Sequence, residues 1–545
     1  MFSPRKYTTN LHGDIFGGIT AAIVALPLAL AFGISSGAGP VAGLYGAIIV
    51  GFFASVFGGT PSQISGPTGP MTVVMTAMIT EFAAQYPDQG LTLAFSTVFL
   101  GGCLQVALGG LRLGKYIVMV PYPVISGFMT GIGAIIILLE LGPLLGFSPG
   151  GNIIDAVGQL PSQVANYDSH ALLIGSLTLA IIFLWRGRAA RVVPPPLLAL
   201  IVATLTIELL YPDSPIERIG AIPSALPSLQ LPTLEFGLLQ KMLTNALMLA
   251  VLGSIDSLLT SLVADNVTGT QHRSDRELIG QGIGNAVSGL VGGLPGAGAT
   301  MRTMVNVRAG GRGPLSGITH ALVLLAIVAG MGFLFENIPL AALAGILIKV
   351  GIDIIDWPFI KRLHRLPLFP VALMVIVFLL TVFVDLITAV FVGVFIKNMV
   401  TISKLSDLQL GSVILSDGTQ EIERLPEDER RVLTQHAGEA VLFRITGPIS
   451  YAVGRGLTTR FEQFKNRKLL LIDIADAAII GISTAMVLEE VIRSALAKGT
   501  EVKLIGAHAD SHHELQQLGL VDLVGKENCS ESVAQVFPPQ ALSSG

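Results

Sequence analysis

The chain is long, apolar and poor in charge. It has 545 residues, of which 51% are hydrophobic and 13% charged, and its mean hydropathy is +0.71. Soluble proteins carry about 25% charged residues, and this length exceeds one ordinary soluble domain. The net charge of −4 is small, and no basic stripe with interleaved aromatic residues occurs, so nucleic acid is not expected as a partner. The composition predicts an α-helical polytopic membrane protein, with the lipid bilayer as its surroundings.

Twelve apolar runs have the length of a membrane span. They lie at 14–36, 41–58, 91–111, 117–140, 170–185, 195–211, 237–262, 278–293, 316–334, 338–353, 367–384 and 386–402. Two shorter segments, near 68–82 and 298–310, follow glycine and proline and are predicted as half-helices. The total is about fourteen elements, seven before residue 215 and seven after it. The first is predicted as a retained span, because no small-residue cleavage site ends it.

Basic residues indicate the orientation of these elements. With an even number of membrane elements, the loops that contain Lys and Arg lie on the same side of the membrane as the N-terminus. The loops at 81–90 and 142–170, on the opposite side, contain no Lys or Arg. Arg218 and Lys241 are the exceptions. The positive-inside rule then predicts a plasma (inner) membrane protein with both termini in the cytoplasm.

The composition changes near residue 403. The charged stretch at 415–435 is interpreted as a linker, which divides the chain into a transport domain (1–403), a linker (404–436) and a small cytoplasmic α/β domain (437–540). In the last domain, the predicted elements are strands at 440–445, 469–474 and 502–505, helices at 451–464 and 483–497, and a third helix that Ser511 and Glu514 would cap.

The two broken segments carry the main functional signal. One contains Thr68 and Gly69 between prolines, and the other contains Ala299 and Thr300 after a glycine-rich turn. Irregular backbone cannot face lipid, and paired interruptions in two halves of a chain point to a transporter's binding site. Each half-helix would direct free N–H groups at an anion, so the backbone of Gly69, Ala299 and Thr300 and the threonine hydroxyls are predicted donors. The alternative is that both segments are helix kinks or close-packing sites.

Asp256 is the second signal, because an aspartate deep in a span is costly. Thr260 lies four residues later, on the same helix face. Carboxylate, hydroxyl and backbone carbonyl oxygens suit a small hard cation. The residues leave Na+ and H+ open, although Thr260 and the turn at 296–299 favour Na+; alternatively, Asp256 hydrogen-bonds a neighbouring helix. Arg302, one turn into the second half-helix, could add positive potential, pair with an acid or extend to the cytoplasm.

Other motifs have structural interpretations. Gly280, Gly282 and Gly284 are predicted to serve helix packing rather than nucleotide binding, because no strand precedes them. The histidines and acids at 508–514 are predicted to form a solvated turn, and Cys103 and Cys529 are not expected to meet. No motif indicates an enzyme, an ATP-driven pump or an organic cofactor.

Several segments together resemble the sulfate permease (SulP) family of anion transporters. They are Leu26-Pro27, Gly43-Leu44-Tyr45-Gly46, Phe57-Gly58-Gly59, Gly66-Pro67 and Ala299–Asn306. The C-terminal part resembles a STAS domain. The resemblance implies a seven-plus-seven inverted repeat (about 14–211 and 237–402), a core domain that moves against a gate domain, and a homodimer, with the STAS domain as its candidate interface.

Residues 10–80 and 254–260 are similar to a subgroup of this family that takes up bicarbonate with sodium. This similarity implies a sodium site and a bicarbonate site that share one residue. The sodium ligands would be Asp256, Thr260, Gly298 and Thr300, and bicarbonate would bind at Thr68, Gly69, Ala299 and Thr300. The chain departs from the family at Leu28, where glutamine is common, and at 481–484, where the STAS motif lacks its aspartate but retains Ser483 as a candidate regulatory residue.

The expected function is sodium-coupled uptake of bicarbonate by alternating access. One alternative is a carrier of sulfate or another small anion, coupled to H+ or working by exchange. A chloride channel or exchanger of the same fold is a second, and it would not depend on a cation. In a third, the membrane part merely anchors a signalling module.

Overall fold

The computed structural model of the chain describes residues 10–117, 120–148, 153–187, 189–220, 228–233, 235–446, 448–449, 467–477, 479–480, 482–506 and 519–537. The chain divides into two compact units, residues 1–394 and 395–545. The predicted helices at 451–464 and near Ser511, and the polar cluster at 508–514, lie outside the described residues.

A helix occupies the position of every predicted membrane element. These helices are α1 (Leu11–Ser35), α2 (Pro40–Phe57), α3 (Gly69–Gln85), α4 (Gly90–Gly110), α5 (Tyr122–Leu144), α6 (Ser169–Leu184), α7 (Pro195–Leu210), α8 (Leu239–Thr268), α9 (Ser274–Leu290), α10 (Thr300–Arg308), α11 (Pro314–Met331), α12 (Leu340–Ile354), α13 (Leu368–Phe383) and α14 (Leu386–Ser412). Within the described ranges, six helices are long and apolar enough to cross a membrane on their own. The predicted α-helical polytopic fold is confirmed.

The packing of the helices relates the first seven to the last seven. Helix α9 packs on α4, and the corresponding helices of the opposite halves, α2 and α11, also pack together. In the same way, α8 packs on α4, and the corresponding helices α1 and α11 pack together. Each pair becomes the other when the two halves are exchanged. Since each half has an odd number of elements, the second runs in the opposite direction through the bilayer. The half-helices α3 and α10 hold the third position of each half.

Two groups of helices result from this packing. The first contains α1–α4 and α8–α11, and the second contains α5–α7 and α12–α14, with α12 packed on α5 and α6 and α13 on α5. In α14, a methyl group at Gly393 would lie 2.6 Å from Val377 and 2.9 Å from Val124, so this helix also packs closely on the second group. Helix α3 meets α5, and α1 meets α12, where the two groups join.

The two exceptions to the charge asymmetry are neutralised by acids. Arg218 forms an ion pair with Glu208 at 2.6 Å, and Lys241 forms one with Glu81 at 2.7 Å. The positive-inside rule counts Lys and Arg rather than net charge, so both residues remain exceptions, outnumbered by the basic residues of the opposite loops.

A helix that the sequence analysis missed lies between α5 and α6. It spans Ile153–Ala165, in a segment interpreted as a loop, and it is bent by 113° from α6. Its apolar residues Ile154, Val157 and Val164 are exposed. Their spacing follows one face of a helix but is too sparse for a span, which is why the hydropathy pattern did not reveal it.

The second unit contains a five-stranded sheet in the order β3-β4-β6-β8-β9. The strands are β3 (Ile414–Ser416), β4 (Ala440–Arg444), β6 (Leu469–Asp473), β8 (Glu501–Ile505) and β9 (Cys529–Ser530), and a separate pair consists of β5 (Pro448–Ile449) and β7 (Ile479–Ile480). Only the β3–β4 pairing is antiparallel within this described sheet. The helices α15 (Glu427–Gln435), α16 (Ile482–Ala497), α17 (Leu520–Val524) and α18 (Val533–Val536) accompany it.

The predicted linker is wrong as a description of residues 404–436. Helix α14 continues to Ser412, β3 pairs with β4, and α15 is bound through Glu429, whose carboxylate contacts Arg444 at 2.6 Å. Arg444 also binds Asp473 at 2.7 Å. The acidic residues that suggested a solvated linker therefore include a partner of a buried arginine.

Candidate ion-binding site

The two broken segments meet as a short antiparallel ladder directly before the half-helices. β1 (Ser65–Gly66) pairs with β2 (Ala297–Gly298), with Ser65 opposite Gly298 and Gly66 opposite Ala297. Residues more than 230 positions apart in the chain are thereby placed side by side, and α3 and α10 begin at this ladder.

Glycine is required in the ladder because side-chain or backbone atoms of the opposite segment approach it closely. A methyl group at Gly298 would lie 2.2 Å from Nε2 of Gln63, and one at Gly296 would lie 2.5 Å from the carbonyl carbon of Gly66. Gly66 has a φ of 152°, which side-chain-bearing residues rarely adopt. The glycines interpreted as breaks in an apolar run are thus places where two chain segments cross.

The predicted sodium ligands lie together beside this ladder. The buried hydroxyl of Thr260 donates to the carbonyl of Gly298 at 2.9 Å and lies 2.8 Å from Oγ1 of Thr300. Asp256 precedes Thr260 by one helical turn, and its Oδ2 atom is buried with no hydrogen-bond partner in the described part of the chain. A buried carboxylate oxygen without a partner is costly, and oxygens of these kinds are suitable ligands for Na+.

The predicted anion site is formed by the starts of the two half-helices. The N–H groups of Gly69 and Thr300 begin α3 and α10, and neither has an acceptor among the described residues. The buried Oγ1 atom of Thr68 also lacks a hydrogen-bond partner there, and this side chain is close to Asp256. Two helix N-termini and a hydroxyl can therefore bind one small anion.

Ala299 cannot act as the sequence analysis predicted. Its N–H donates to the carbonyl of Ile64 at 2.9 Å, which extends the β1–β2 ladder by one hydrogen bond. An N–H group engaged in this bond is not free for an anion. Its carbonyl accepts from the N–H of Thr303, so Ala299 holds the start of α10 in place.

Arg302 is buried and does not extend to the cytoplasm. Its guanidinium donates to the carbonyl of Pro67, in the opposite half of the repeat, and interacts electrostatically with Asp256. The arginine therefore links the two broken segments and places a positive charge beside the predicted sodium site.

The second group of helices closes over the anion site. A methyl group at Gly69 would lie 2.8 Å from Cδ1 of Ile136 in α5 and 2.7 Å from Cδ1 of Ile354 in α12. The site therefore lies where the two helix groups join, with apolar side chains on one side and backbone donors on the other.

Sequence reasoning missed the polar side chains that support the ladder. Glu277, Gln281 and Asn285 follow one another at four-residue intervals in α9. Asn285 donates to the carbonyl of Gly296 at 2.9 Å and accepts from its N–H at 2.7 Å. The four-residue spacing of polar residues in an otherwise apolar span was a signal that could have revealed them.

The remaining predicted residues have simpler positions. Gly280 and Gly282 pack closely on Gly58 and Val106, as the helix-packing interpretation requires. Leu28 is half-buried in α1. Ser483 lies in α16, but its side chain is outside the described part of the structure.

Comparison with known proteins adds independent information. Residues 11–377 match the family model described as the sulfate permease family, and residues 431–536 match the STAS domain. The chain is 46% identical to the "Bicarbonate transporter BicA" of Synechocystis sp., over 98% of this chain and 95% of the relative. It is 30% identical to the "Putative sulfate transporter YvdB" of Bacillus subtilis, over 97% of this chain and 98% of the relative.

Two solved structures share the fold. The transmembrane domain of a cyanobacterium bicarbonate transporter BicA matches 70% of this chain and 98% of its own, with 52% identity and a TM-score of 0.66. The structure of SLC26A9 matches 97% of this chain and 90% of its own with a TM-score of 0.82, but its identity of 16% shows the fold alone.

Proposed function

Because the chain belongs to the sulfate permease family, we propose that it imports bicarbonate together with Na+ by alternating access. Bicarbonate is the substrate named for a relative that is 46% identical over nearly the full length. The observation that carries the proposal is the position of Asp256, Thr260, Gly298 and Thr300, whose oxygens lie next to two helix N-termini.

Electrostatics supplies the coupling between the two ions. Two like unit charges 4 Å apart repel by about 4 kcal/mol at an effective dielectric constant near 20. The charge of Arg302 offsets part of this repulsion, but an anion at the half-helices still binds more weakly while no Na+ is bound at Asp256. Sodium at Asp256 removes that repulsion, and by linkage the anion strengthens sodium binding equally.

The division into two helix groups supports alternating access. The half-helices and Asp256 belong to the first group, whereas Ile136 and Ile354 belong to the second. A displacement of the first group against the second would move the site past these apolar side chains. Both ions would travel with the first group, since it contains all their proposed ligands.

The test is uptake of labelled bicarbonate into vesicles that contain the full-length protein, at fixed pH, in sodium and then in choline. Uptake that requires sodium supports the proposal. Uptake that is equal in choline would overturn sodium coupling but leave bicarbonate as the substrate. No uptake in either medium would overturn the substrate.

Sulfate is the second candidate, because relatives at about 30% identity are named as putative sulfate transporters. A divalent anion would need more positive charge than Arg302 provides beside Asp256. Uptake of labelled sulfate and of labelled chloride in the same vesicles distinguishes the candidates, since an anion that only binds the site would inhibit bicarbonate uptake without being taken up.

The proposed location is the plasma membrane with both termini in the cytoplasm, supported by the basic loops on one side. The proposed homodimer has its support in the family resemblance. Its test is the molar mass of the purified full-length protein in detergent, where a single-chain mass would contradict it.

A further inference from the structure

Glu277 is a buried acid to which neither the sequence analysis nor the proposed transport step assigns a role. Its Oε2 atom accepts hydrogen bonds from the backbone N–H groups of Gly59 and Thr60, both at 2.8 Å. Its Oε1 atom accepts from the side-chain amides of Gln63 and Gln281, also both at 2.8 Å. One carboxylate in α9 therefore binds the segment that connects α2 to β1.

All four partners of this carboxylate are N–H donors. The group is therefore arranged as an acceptor of hydrogen bonds at both oxygens, which is what an ionised carboxylate requires inside a membrane protein. Among the described residues, no Lys or Arg forms an ion pair with it. Its role cannot be the neutralisation of a neighbouring cation, so the hydrogen bonds themselves are what it contributes.

Gln63 connects Glu277 to the proposed sodium site. While its amide nitrogen donates to Glu277, its Oε1 atom accepts from the hydroxyl of Ser261 at 3.0 Å. Ser261 directly follows Thr260 in α8, and it also lies 2.7 Å from the hydroxyl of Thr60. The Gln63 side chain fills the space in front of Gly298, where a methyl group would lie 2.2 Å from its nitrogen.

We propose that Glu277 is a positioning residue for the sodium site. It fixes Gln63, which in turn fixes the backbone at Gly298 and the turn of α8 that carries Thr260. The inference rests on the proposed sodium coupling. Replacing a residue that hydrogen-bonds to metal ligands and orients them typically changes metal affinity by about 10–100-fold.

Glu277→Gln is the decisive substitution because it keeps the shape of the side chain. The nitrogen of the new amide is a donor. It must face either the backbone N–H groups of Gly59 and Thr60 or the side-chain amides of Gln63 and Gln281, which are donors themselves. If the new nitrogen faces the backbone, the bonds from Gly59 and Thr60 are both lost. If it faces the side chains, an exchange of the Gln281 amide atoms can restore that bond, but the bond to Gln63 is lost while the Gln63 oxygen accepts from Ser261. We expect the sodium concentration for half-maximal uptake to rise about 10-fold or more, while the maximal rate changes by less than about 3-fold.

A double variant, Gln63→Glu with Glu277→Gln, should restore sodium affinity. The amide at 277 would then donate to the carboxylate at 63, and Ser261 would still have an acceptor. The Oε1 atom of Gln281 is buried without a hydrogen-bond partner in the described structure. An exchange of its amide atoms would let it accept from the amide at 277 and from Ser65. We expect half-maximal sodium within about 3-fold of wild type.

The matched control is Glu140→Gln. Glu140 is also a buried acid, in α5, and accepts from the hydroxyl of Ser35 at 2.5 Å, and among the described residues no hydrogen bond joins it to the ladder. Its substitution should leave half-maximal sodium unchanged. A second readout, the sodium-dependent rise in unfolding temperature of the purified full-length protein, reports sodium binding without transport.

The outcomes separate this inference from the proposed function. If wild-type uptake and unfolding temperature do not respond to sodium, the proposed coupling fails, and with it the positioning role. If wild type responds and Glu277→Gln responds at the same sodium concentration, the inference alone is overturned. It is also overturned if the folded double variant is no better than Glu277→Gln, or if Glu140→Gln shows the same loss.

Discussion

Thr260→Val tests the proposed sodium site with the smallest change of shape. Valine replaces the hydroxyl of Thr260 with a methyl group in a position that is fully buried. The hydroxyl contacts the carbonyl of Gly298 at 2.9 Å and Oγ1 of Thr300 at 2.8 Å. The substitution therefore removes a proposed ligand and deprives two others of their common partner.

The expected magnitude follows from these contacts. Leaving a buried polar group without its hydrogen bond costs about 1–3 kcal/mol, which should appear as a lower free energy of unfolding. The variant also lacks one oxygen that would face the bound Na+. Polar contacts to charged groups contribute about 1.5–3 kcal/mol each, so the free energy of sodium binding should weaken by a similar amount. Since about 1.4 kcal/mol corresponds to a tenfold change in affinity, half-maximal sodium should rise roughly 10–100-fold.

The measurement is a sodium titration of labelled bicarbonate uptake. Thr97→Val is the control, because Thr97 is equally buried and, in the described structure, its hydroxyl donates to Leu93 within the same helix at 2.8 Å. That variant should retain wild-type sodium dependence. If Thr260→Val takes up bicarbonate with unchanged sodium dependence, the hydroxyl is not a ligand, and the proposed site is wrong at this position.

Three further predictions concern charge, packing and the cytoplasmic sheet. Asp256→Asn keeps the size of the side chain but removes its charge, so sodium-stimulated uptake should disappear; stimulation that persists would contradict the proposed coupling. In thermal unfolding, Gly298→Ala should destabilise the protein by about 1–3 kcal/mol through overpacking, because Gln63 is hydrogen-bonded and cannot move aside. Gly110 has open space around it, so Gly110→Ala should change stability by less than about 0.5 kcal/mol. Arg444→Leu leaves two carboxylates without their buried partner and should lower the free energy of unfolding by about 3–5 kcal/mol in denaturant. Arg431→Leu should lower it by less than about 1 kcal/mol, because the ion pair of Arg431 is exposed. Equal losses would show that burial does not decide how much these ion pairs contribute to stability.

The sequence predicted the membrane elements well because each of them is governed by a local rule. A spanning helix must satisfy its backbone hydrogen bonds internally and face lipid with apolar side chains, so hydropathy identifies it without knowledge of its neighbours. The half-helices were also recognisable, since glycine and proline interrupt an apolar run only where the backbone departs from a helix. The spacing of Asp256 and Thr260 likewise reports a shared helix face.

The errors arose where distant residues decide a local property. Ala299 carries a backbone N–H that any sequence pattern would leave free, but Ile64, 235 positions earlier, accepts its hydrogen bond. The stretch at 415–435 was interpreted as a linker from its charge, although Glu429 binds a buried arginine and β3 joins the sheet. Hydropathy describes how a segment interacts with solvent or lipid, but it does not identify the residues with which the segment pairs.

The sequence by itself determined that this chain is a membrane protein with two matching halves, two broken helices and an aspartate within a span. Tertiary structure alone decided that the two breaks cross as a β ladder, that Thr260 contacts Gly298 and Thr300, and that Glu277 binds the segment leading into the ladder. The physical reason is that helix formation and membrane insertion depend on neighbouring residues, whereas an ion site depends on side chains that only packing brings together.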